Sequence, residues 1–268
     1  MNAKTSIRSV IFLGRKPCSV QAVEWLLKQK IAIRAIVTKE GTAEARALRL
    51  IARKRKIPFY TDDEPLYRRI EKKDPTMLDV DLVISFLFWK KIREPLYRLP
   101  RHSCINFHPA PLPEYKSRAG YNTAILDQKK TFGVSAHYID SESFDSGPII
   151  KVLRFPMDPT TETAYALEQR TQGQLLKLFE WTIRALKSGR KIPLKKNAGG
   201  LYLTSKQLEA LKNVDVNKDS AEQVHRKIRA FFFPPYHGAK ITIDGEDFTL
   251  LDEEMLRWIH SRINPNHV

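Results

Sequence analysis

VDLVISFLFWKKIREPLYRLPRHSCINFHPAPLP, residues 80–113, holds two apolar runs, VDLVISFLF (80–88) and SCINF (103–107), joined by a basic turn or short helix. Neither run alternates polar with apolar residues, as strands of a sheet covered on both faces require. The second run closes on Asn106 and His108 and passes directly into PAPLPEY (109–115), whose prolines fix backbone angles and remove N–H donors. A buried amide is costly unless its polar atoms find partners. A core strand that ends this way presents an amide and an imidazole beside a rigid, open wall.

The alternation of strand and helix continues outward from this stretch. SVIFLG (9–14), IRAIVT (33–38) and PFYT (58–61) read as strands; VQAVEWLLKQ (20–29), ARALRLIARKRK (45–56) and DEPLYRRIEKK (63–73) read as helices. This is the βαβ rhythm of an α/β fold with a doubly wound, mostly parallel sheet. TFGVSAHYID (131–140) and GPIIKVLRF (147–155) read as further strands, followed by a long helix over 160–189 with Thr160 or Thr161 as its cap and Gly189 as its stop. The remainder mixes Gly, Pro and short strands around Asp244-Gly245, a hairpin signal. A boundary is expected near 190, with residues 1–190 as the main domain and 191–268 as a small C-terminal α+β extension.

A chain of 268 residues, 42% of them apolar, can bury a sizeable core. Its longest N-terminal apolar run, Val10 to Leu13, is far too short for a signal-peptide core, and nothing approaches the roughly 18 apolar residues of a membrane helix. Cys18 and Cys104 share no CxxC or Cys/His spacing, so the expectation is a reducing cytoplasm with no disulfide framework and no structural metal. The net charge of +16 is local: residues 1–60 carry 14 Lys/Arg against 3 Asp/Glu, whereas 190–268 carry 13 against 10. Much of the excess lies on the helix at 45–56, opposite the stripe of Leu48, Ile51 and Ala52; a solvated face is expected there, with a polyanion-binding face as the alternative. The first strand-to-helix turn, GRKPCS (14–19), has one glycine and argues against dinucleotide binding. Arg15 and Lys16 at the helix start are candidates to hold a phosphate.

In open α/β sheets the ligand site lies beyond the carboxyl ends of the strands, where Asn106 and His108 fall. DSESFDSGPII (140–150), which follows the next strand, turns at Gly147-Pro148 and brings Asp140 and Asp145 to the same sheet edge. Each residue alone reads as an ordinary core or turn residue. Together they form a constellation.

NFHPAPLP (106–113) and FDSGPII (144–150), with Asp145 lying 37 residues after His108, resemble the paired signatures of the folate-dependent formyltransferases that use 10-formyltetrahydrofolate. The resemblance implies a Rossmann-like formyltransferase fold. ISFLFWKKI (84–92) resembles that family's folate-cradling loop, and this implies Phe88, Trp89, Lys90, Ile92 and Asp140 as residues for the folate. YKSRAGYNTAI (115–125) and RAFFFPPYHGAKITIDG (229–245) resemble the branch that N-formylates nucleotide-linked amino sugars. Tyr115, Lys116, Tyr121 and Asn122 are accordingly implied at the substrate, with Arg15 and Lys16, and a homodimer through the tail is implied as well. Ser117 stands where a glycine is common in the family, and Ser146 replaces its usual threonine.

Formyl transfer fits these residue types. An imidazole, with an ordinary pKa of about 6.5, accepts the proton of an attacking amine near neutrality. A carboxylate orients and stabilises the resulting imidazolium, and an amide N–H donates to the developing oxyanion. His108, Asp145 and Asn106 are therefore expected in those roles. Phe88, Trp89 and His137 have the alternative of plain packing, and Cys104 has no base at a useful spacing. The resemblance implies a dTDP-linked dideoxy-aminohexose as the acceptor. The rivals are a methionyl-tRNA formyltransferase, a catalytically idle binding module of the same fold, and the purine-pathway enzyme, which is shorter and lacks such a tail. A tail of only +3 argues against specific nucleic-acid binding.

Overall fold

The computed structural model describes residues 7–263. Along the chain run β1 (Ser9–Gly14), α1 (Pro17–Lys28), β2 (Ala32–Val37), α2 (Ala43–Arg55), β3 (Phe59–Tyr60), α3 (Glu64–Glu71), α4 (Pro75–Leu78), β4 (Leu82–Phe86) and β5 (Ser103–His108). They are followed by β6 (Tyr115–Ser117), α5 (Gly120–Leu126), β7 (Thr131–Tyr138), β8 (Ile149–Pro156) and α6 (Ala164–Lys187). The last elements are β9 (Leu201–Leu203), α7 (Ser205–Leu211), α8 (Ala221–Phe231), β10 (Lys240–Ile243), β11 (Glu246–Thr249) and α9 (Glu253–Ile263). Two compact units result among the described residues: 7–114 with Gly133–Leu153 and Thr171–Gly200, and Tyr115–Phe132 with Arg154–Arg170 and 201–263. The sequence places one boundary near 190; the chain crosses between the units several times, finally after Gly200.

The sheet has seven strands in the order β3-β2-β1-β4-β5-β7-β8. Strands β1 to β5 pair in parallel, and β7 runs antiparallel to β5. The period of two sorts the residues between faces. On one face Phe86 and Phe107 meet Phe179 of α6 edge-on, at ring-centroid distances of 5.4 and 5.1 Å, and Trp25 of α1 meets the same ring at 5.7 Å. On the other, Ile11, Leu13, Val83 and Cys104 pack with Leu66, Tyr67 and Ile70 of α3 and Met77 of α4. Apolar cover on both faces is why the strands lack polar alternation.

Helix α6 starts later than the sequence indicates. Thr160 and Thr161 are held by Asp158, whose carboxylate accepts from both hydroxyls, and Thr163 becomes the cap, its Oγ1 accepting from Ala166 N at 3.1 Å. Gly189, with φ +71°, lies just past the end of the helix as expected. Helix α2 turns Leu48 and Ala52 inward and leaves Arg46, Arg53, Lys54 and Arg55 exposed. Among the described residues no helix is long and apolar enough to cross a membrane.

The second unit has its own core of Val214, Ile228, Phe232, Ala239 and Met255, with Tyr165 and Trp258 against it. Phe231 and Phe232 are buried, whereas Tyr236 is 71% exposed. Strands β10 and β11 form the expected hairpin, and φ values of +50° at Asp244 and +86° at Gly245 explain why that dipeptide suits the turn. Ser117 has φ +62°, a left-handed backbone that accounts for glycine being common at that position.

Asp81, 1% exposed, ties β1 to β4. Its Oδ2 accepts from Arg8 N at 2.7 Å and Ser9 N at 2.9 Å, and its Oδ1 pairs with Arg101 at 2.6 Å. Burial acts to raise its pKa, but the Arg8 amide, the Arg101 guanidinium and the Ser9 amide outweigh it and hold the carboxyl below the usual aspartate value. A depressed folded pKa gives stability that is complete above the ordinary value of about 3.9 and is lost as pH falls through the folded value. Asp81→Asn is expected to cost about 1–3 kcal/mol in denaturant titrations at pH 7. The gap from wild type should narrow below about pH 4; a gap equally wide at pH 7 and pH 3 would show that the charge contributes nothing.

Candidate active site

Strand β5 carries Cys104, Asn106 and His108 on one face, the first inside the core and the others at the carboxyl end. The register sets Asn106 opposite Ser85 of β4 and opposite His137 of β7. Three side chains therefore form a row across three strands. Ser85 Oγ donates to Asn106 Oδ1 at 2.8 Å, and Asn106 Nδ2 lies 3.0 Å from His137 Nε2. The next row pairs His108 with Ser135. Ser135 Oγ donates to Ala110 O and accepts from Leu112 N, each at 2.8 Å, and so pins the proline loop to the sheet.

Asp145 is brought over this surface by the turn between β7 and β8. Its Oδ1 lies 3.1 Å from Asn106 Nδ2, 3.3 Å from His108 Nδ1 and 3.3 Å from His137 Nε2. His108, His137 and Asp145 are all buried. The protonation pattern follows from what each partner can do. The Tyr138 carbonyl, 2.8 Å from His137 Nδ1, can only accept, so that nitrogen carries the proton. In neutral His137 Nε2 is then an acceptor and takes one N–H of Asn106. The second N–H of that amide goes to Asp145. The carboxylate likewise accepts from His108 Nδ1, which in the neutral ring puts the lone pair on Nε2. A half-buried amide, a base and a carboxylate thus share one network in which Asn106 has both N–H groups directed at acceptors.

The amide, imidazole and carboxylate singled out in the sequence are brought together, and His137 is a partnered histidine within the same cluster. Ser85 and Asn197 belong to the site and were not singled out. Asn197 Nδ2 donates to Asp145 O at 2.8 Å and to Gly147 O at 2.9 Å. Ser85 is a lone hydroxyl in an apolar run, a weak signal without the register; KNAGG around Asn197 gives none.

Phe88 and Trp89, just past the end of β4, are half-buried with ring centroids 4.5 Å apart. The Lys90 ammonium is held by Asp62 at 2.6 Å and Asp63 at 2.8 Å, and Ile92 is a core residue. Asp140 is exposed. Arg15 Nε donates to Leu87 O at 2.9 Å at the same end of the sheet. Lys16 precedes α1, which begins at Pro17, and its backbone N donates to Glu44 at 2.8 Å. Tyr115, Lys116, Tyr121 and Asn122 lie in the second unit. There Tyr115 is buried with its hydroxyl donating to Asp127, Lys116 is half-buried on β6, Tyr121 packs on Phe132, and Asn122 Nδ2 donates to Ala230 O at 2.7 Å. Burial pushes the Cys104 thiol well up, which disfavours a thiolate. Among the described residues no group of three or more His, Cys, Asp or Glu is arranged to hold a metal ion.

The chain is similar to a methionyl-tRNA formyltransferase of Nitrosomonas eutropha, 27% identical over 243 residues that cover 88% of this chain and 75% of that one. Among solved structures it resembles a 4-N formyltransferase from Francisella tularensis, with TM-score 0.72, 16% identity and coverage of 92% and 98% of the two chains. It also resembles an N-formyltransferase from Helicobacter canadensis solved with folinic acid and dTDP-3-aminofucose, with TM-score 0.70, 20% identity and coverage of 90% and 86%. The sequence profile described as formyl transferase matches residues 8–182, well over half of the chain, and the protein belongs to the formyl transferase family.

Proposed function

We propose that the protein moves a formyl group from 10-formyltetrahydrofolate to the amine of a nucleotide-linked amino sugar, a dTDP-linked dideoxy-aminohexose being the acceptor we favour. The observation that carries this reading is the hydrogen-bonded network of half-buried Asn106 with buried His108 and Asp145 at the carboxyl end of the sheet. When bound, the folate supplies the formyl group, whose carbon exchanges the folate nitrogen for the incoming amine. His108 Nε2 takes the amine proton, Asp145, already on Nδ1, stabilises the imidazolium, and His108 would then return that proton to the departing folate nitrogen. Asn106 Nδ2 donates to the oxygen that gains negative charge, turning one N–H away from Asp145 or His137 to do so. The half-buried rings of Phe88 and Trp89 beside the end of β4, inclined at 51° to each other, offer aromatic faces on which a pterin can stack, so the residues present suit the folate. The intact network favours an enzyme over an idle module.

The sugar acceptor is supported by the structural likenesses, one of which was solved with dTDP-3-aminofucose. A tRNA acceptor is the second reading, favoured by the methionyl-tRNA formyltransferases among the sequence relatives. The charge distribution favours the sugar. A tRNA enzyme must neutralise many phosphates, whereas residues 190–268 carry 13 Lys/Arg against 10 Asp/Glu. A nucleotide sugar presents two phosphates, which a few cations such as Arg15 and Lys16 match. A homodimer through residues 191–268 and a cytoplasmic setting complete the reading.

His108→Ala and Asn106→Ala are each expected to lose about a hundredfold or more in turnover while remaining folded. Asp145→Asn, which keeps the shape and removes the charge, should lose turnover heavily with little change in Tm. Turnover near wild type in any of the three would remove that residue from the proposed mechanism.

Incubation with 10-formyltetrahydrofolate and either a panel of amino-sugar nucleotides or charged initiator tRNA tests the acceptor. Formylation of a sugar nucleotide is expected, with a log-log salt slope for its binding of about 2 or less in magnitude. Formylated methionyl-tRNA at useful rates, with every sugar nucleotide untouched, would reverse the assignment.

A further inference from the structure

Residues 195–200 lie across the ends of both loops that build the site. Lys195 and Ile149 exchange backbone hydrogen bonds of 2.9 Å in each direction, which lays the segment against the start of β8. Two residues on, the Asn197 amide donates to the carbonyls of Asp145 and Gly147. Three further on, Gly200 has φ +89°, and a Cβ there would sit 1.5 Å from Pro113 O, so the segment touches the proline loop through bare backbone. One short strap thus meets the loop that carries the carboxylate and the loop that follows Asn106 and His108.

The turn it meets is strained. Asp145 has φ +47°, a left-handed conformation that costs a residue with a Cβ roughly 1–2 kcal/mol and persists only where the surroundings enforce it. Two contacts do so. Gly147 lies against β7 so closely that a Cβ would fall 2.0 Å from Tyr138 O, and Asn197 clamps the carbonyls on either side of Ser146. The clamp works by its donors: Asn197 Oδ1 is buried without a hydrogen-bond partner, and exchanging it with Nδ2 would set oxygen against two carbonyls.

We propose that Asn197 is a positioning residue that fixes the left-handed turn at Asp145 and thereby holds its carboxylate against Asn106, His108 and His137. The inference rests on the catalytic reading above. Removing the two donors lets the turn relax, and the carboxylate, which rides on that turn, shifts relative to the row of donors at Asn106, His108 and His137. Misplacement by about 1 Å is enough for a large loss in rate.

Two variants test this. Asn197→Ala removes the amide, and Asn197→Asp keeps its shape but has no N–H. Both are expected to lower kcat about 10- to 100-fold, with KM for the folate changed less than about threefold and Tm near wild type. In an Asp145→Asn background, Asn197→Ala should cost less than about a further threefold, because the group it positions is already disabled. Losses that multiply in the double variant, or wild-type kcat in both single variants, would overturn the proposal. Hydrogen exchange needs no acceptor: peptides spanning 141–148 should exchange faster in both variants, with β1 and β4 unchanged. Faster exchange in an enzyme whose wild type formylates no acceptor would sink the catalytic reading and leave the clamp standing, whereas unchanged exchange would sink the clamp itself.

Discussion

The site depends on one choice of register. Strand β5 lies parallel to β4 and antiparallel to β7, and only the observed alignment sets Ser85, Asn106 and His137 in a row. A slip of one residue would turn Asn106 and His108 to the opposite face and put Ile105 and Phe107 in their place. Packing on the far side forbids that slip, because Phe86 and Phe107 meet the same ring of Phe179. Apolar contact on one face of the sheet thus fixes polar geometry on the other.

The order of the polar cluster is set from its edges inward. Tyr138 O determines which nitrogen of His137 holds the proton, and Ser85 engages the oxygen of Asn106. Between them the amide has no second orientation that satisfies its neighbours. Its nitrogen must face Asp145, whose one oxygen then serves several donors. In surroundings from which water is largely excluded such a network is firm while complete and costly when any member is missing. In the reaction proposed above, the His108–Asp145 pair is thereby oriented in advance and only the Asn106 amide has to turn.

Much of this was legible in the sequence because the signals were local. Strands without polar alternation gave the doubly wound sheet, and a polar pair two residues apart at a strand end gave Asn106 and His108. The dipeptide Asp244-Gly245 gave its hairpin for the same reason. What escaped was nonlocal. Ser85 matters only because β4 is aligned with β5, and Asn197 only because a strap folds back over a turn 52 residues earlier. The cap of α6 was misplaced because Asp158 competes for Thr160 and Thr161. The partners of Lys90 are nonlocal too: Asp62 and Asp63 hold it through contacts that span more than 25 residues.

The strap also has a bearing on the order in which the site is made. Its residues follow α6, so a growing polypeptide can lay down the sheet, the aromatic core and the strand bearing Asn106 and His108 before Asn197 has been synthesised. During that interval the turn at Asp145 has its glycine contact with β7 but not its amide clamp. On the reading proposed above, the site is assembled in two stages, scaffold first and carboxylate last, and a nascent chain has its fold before the clamp on Asp145 is in place.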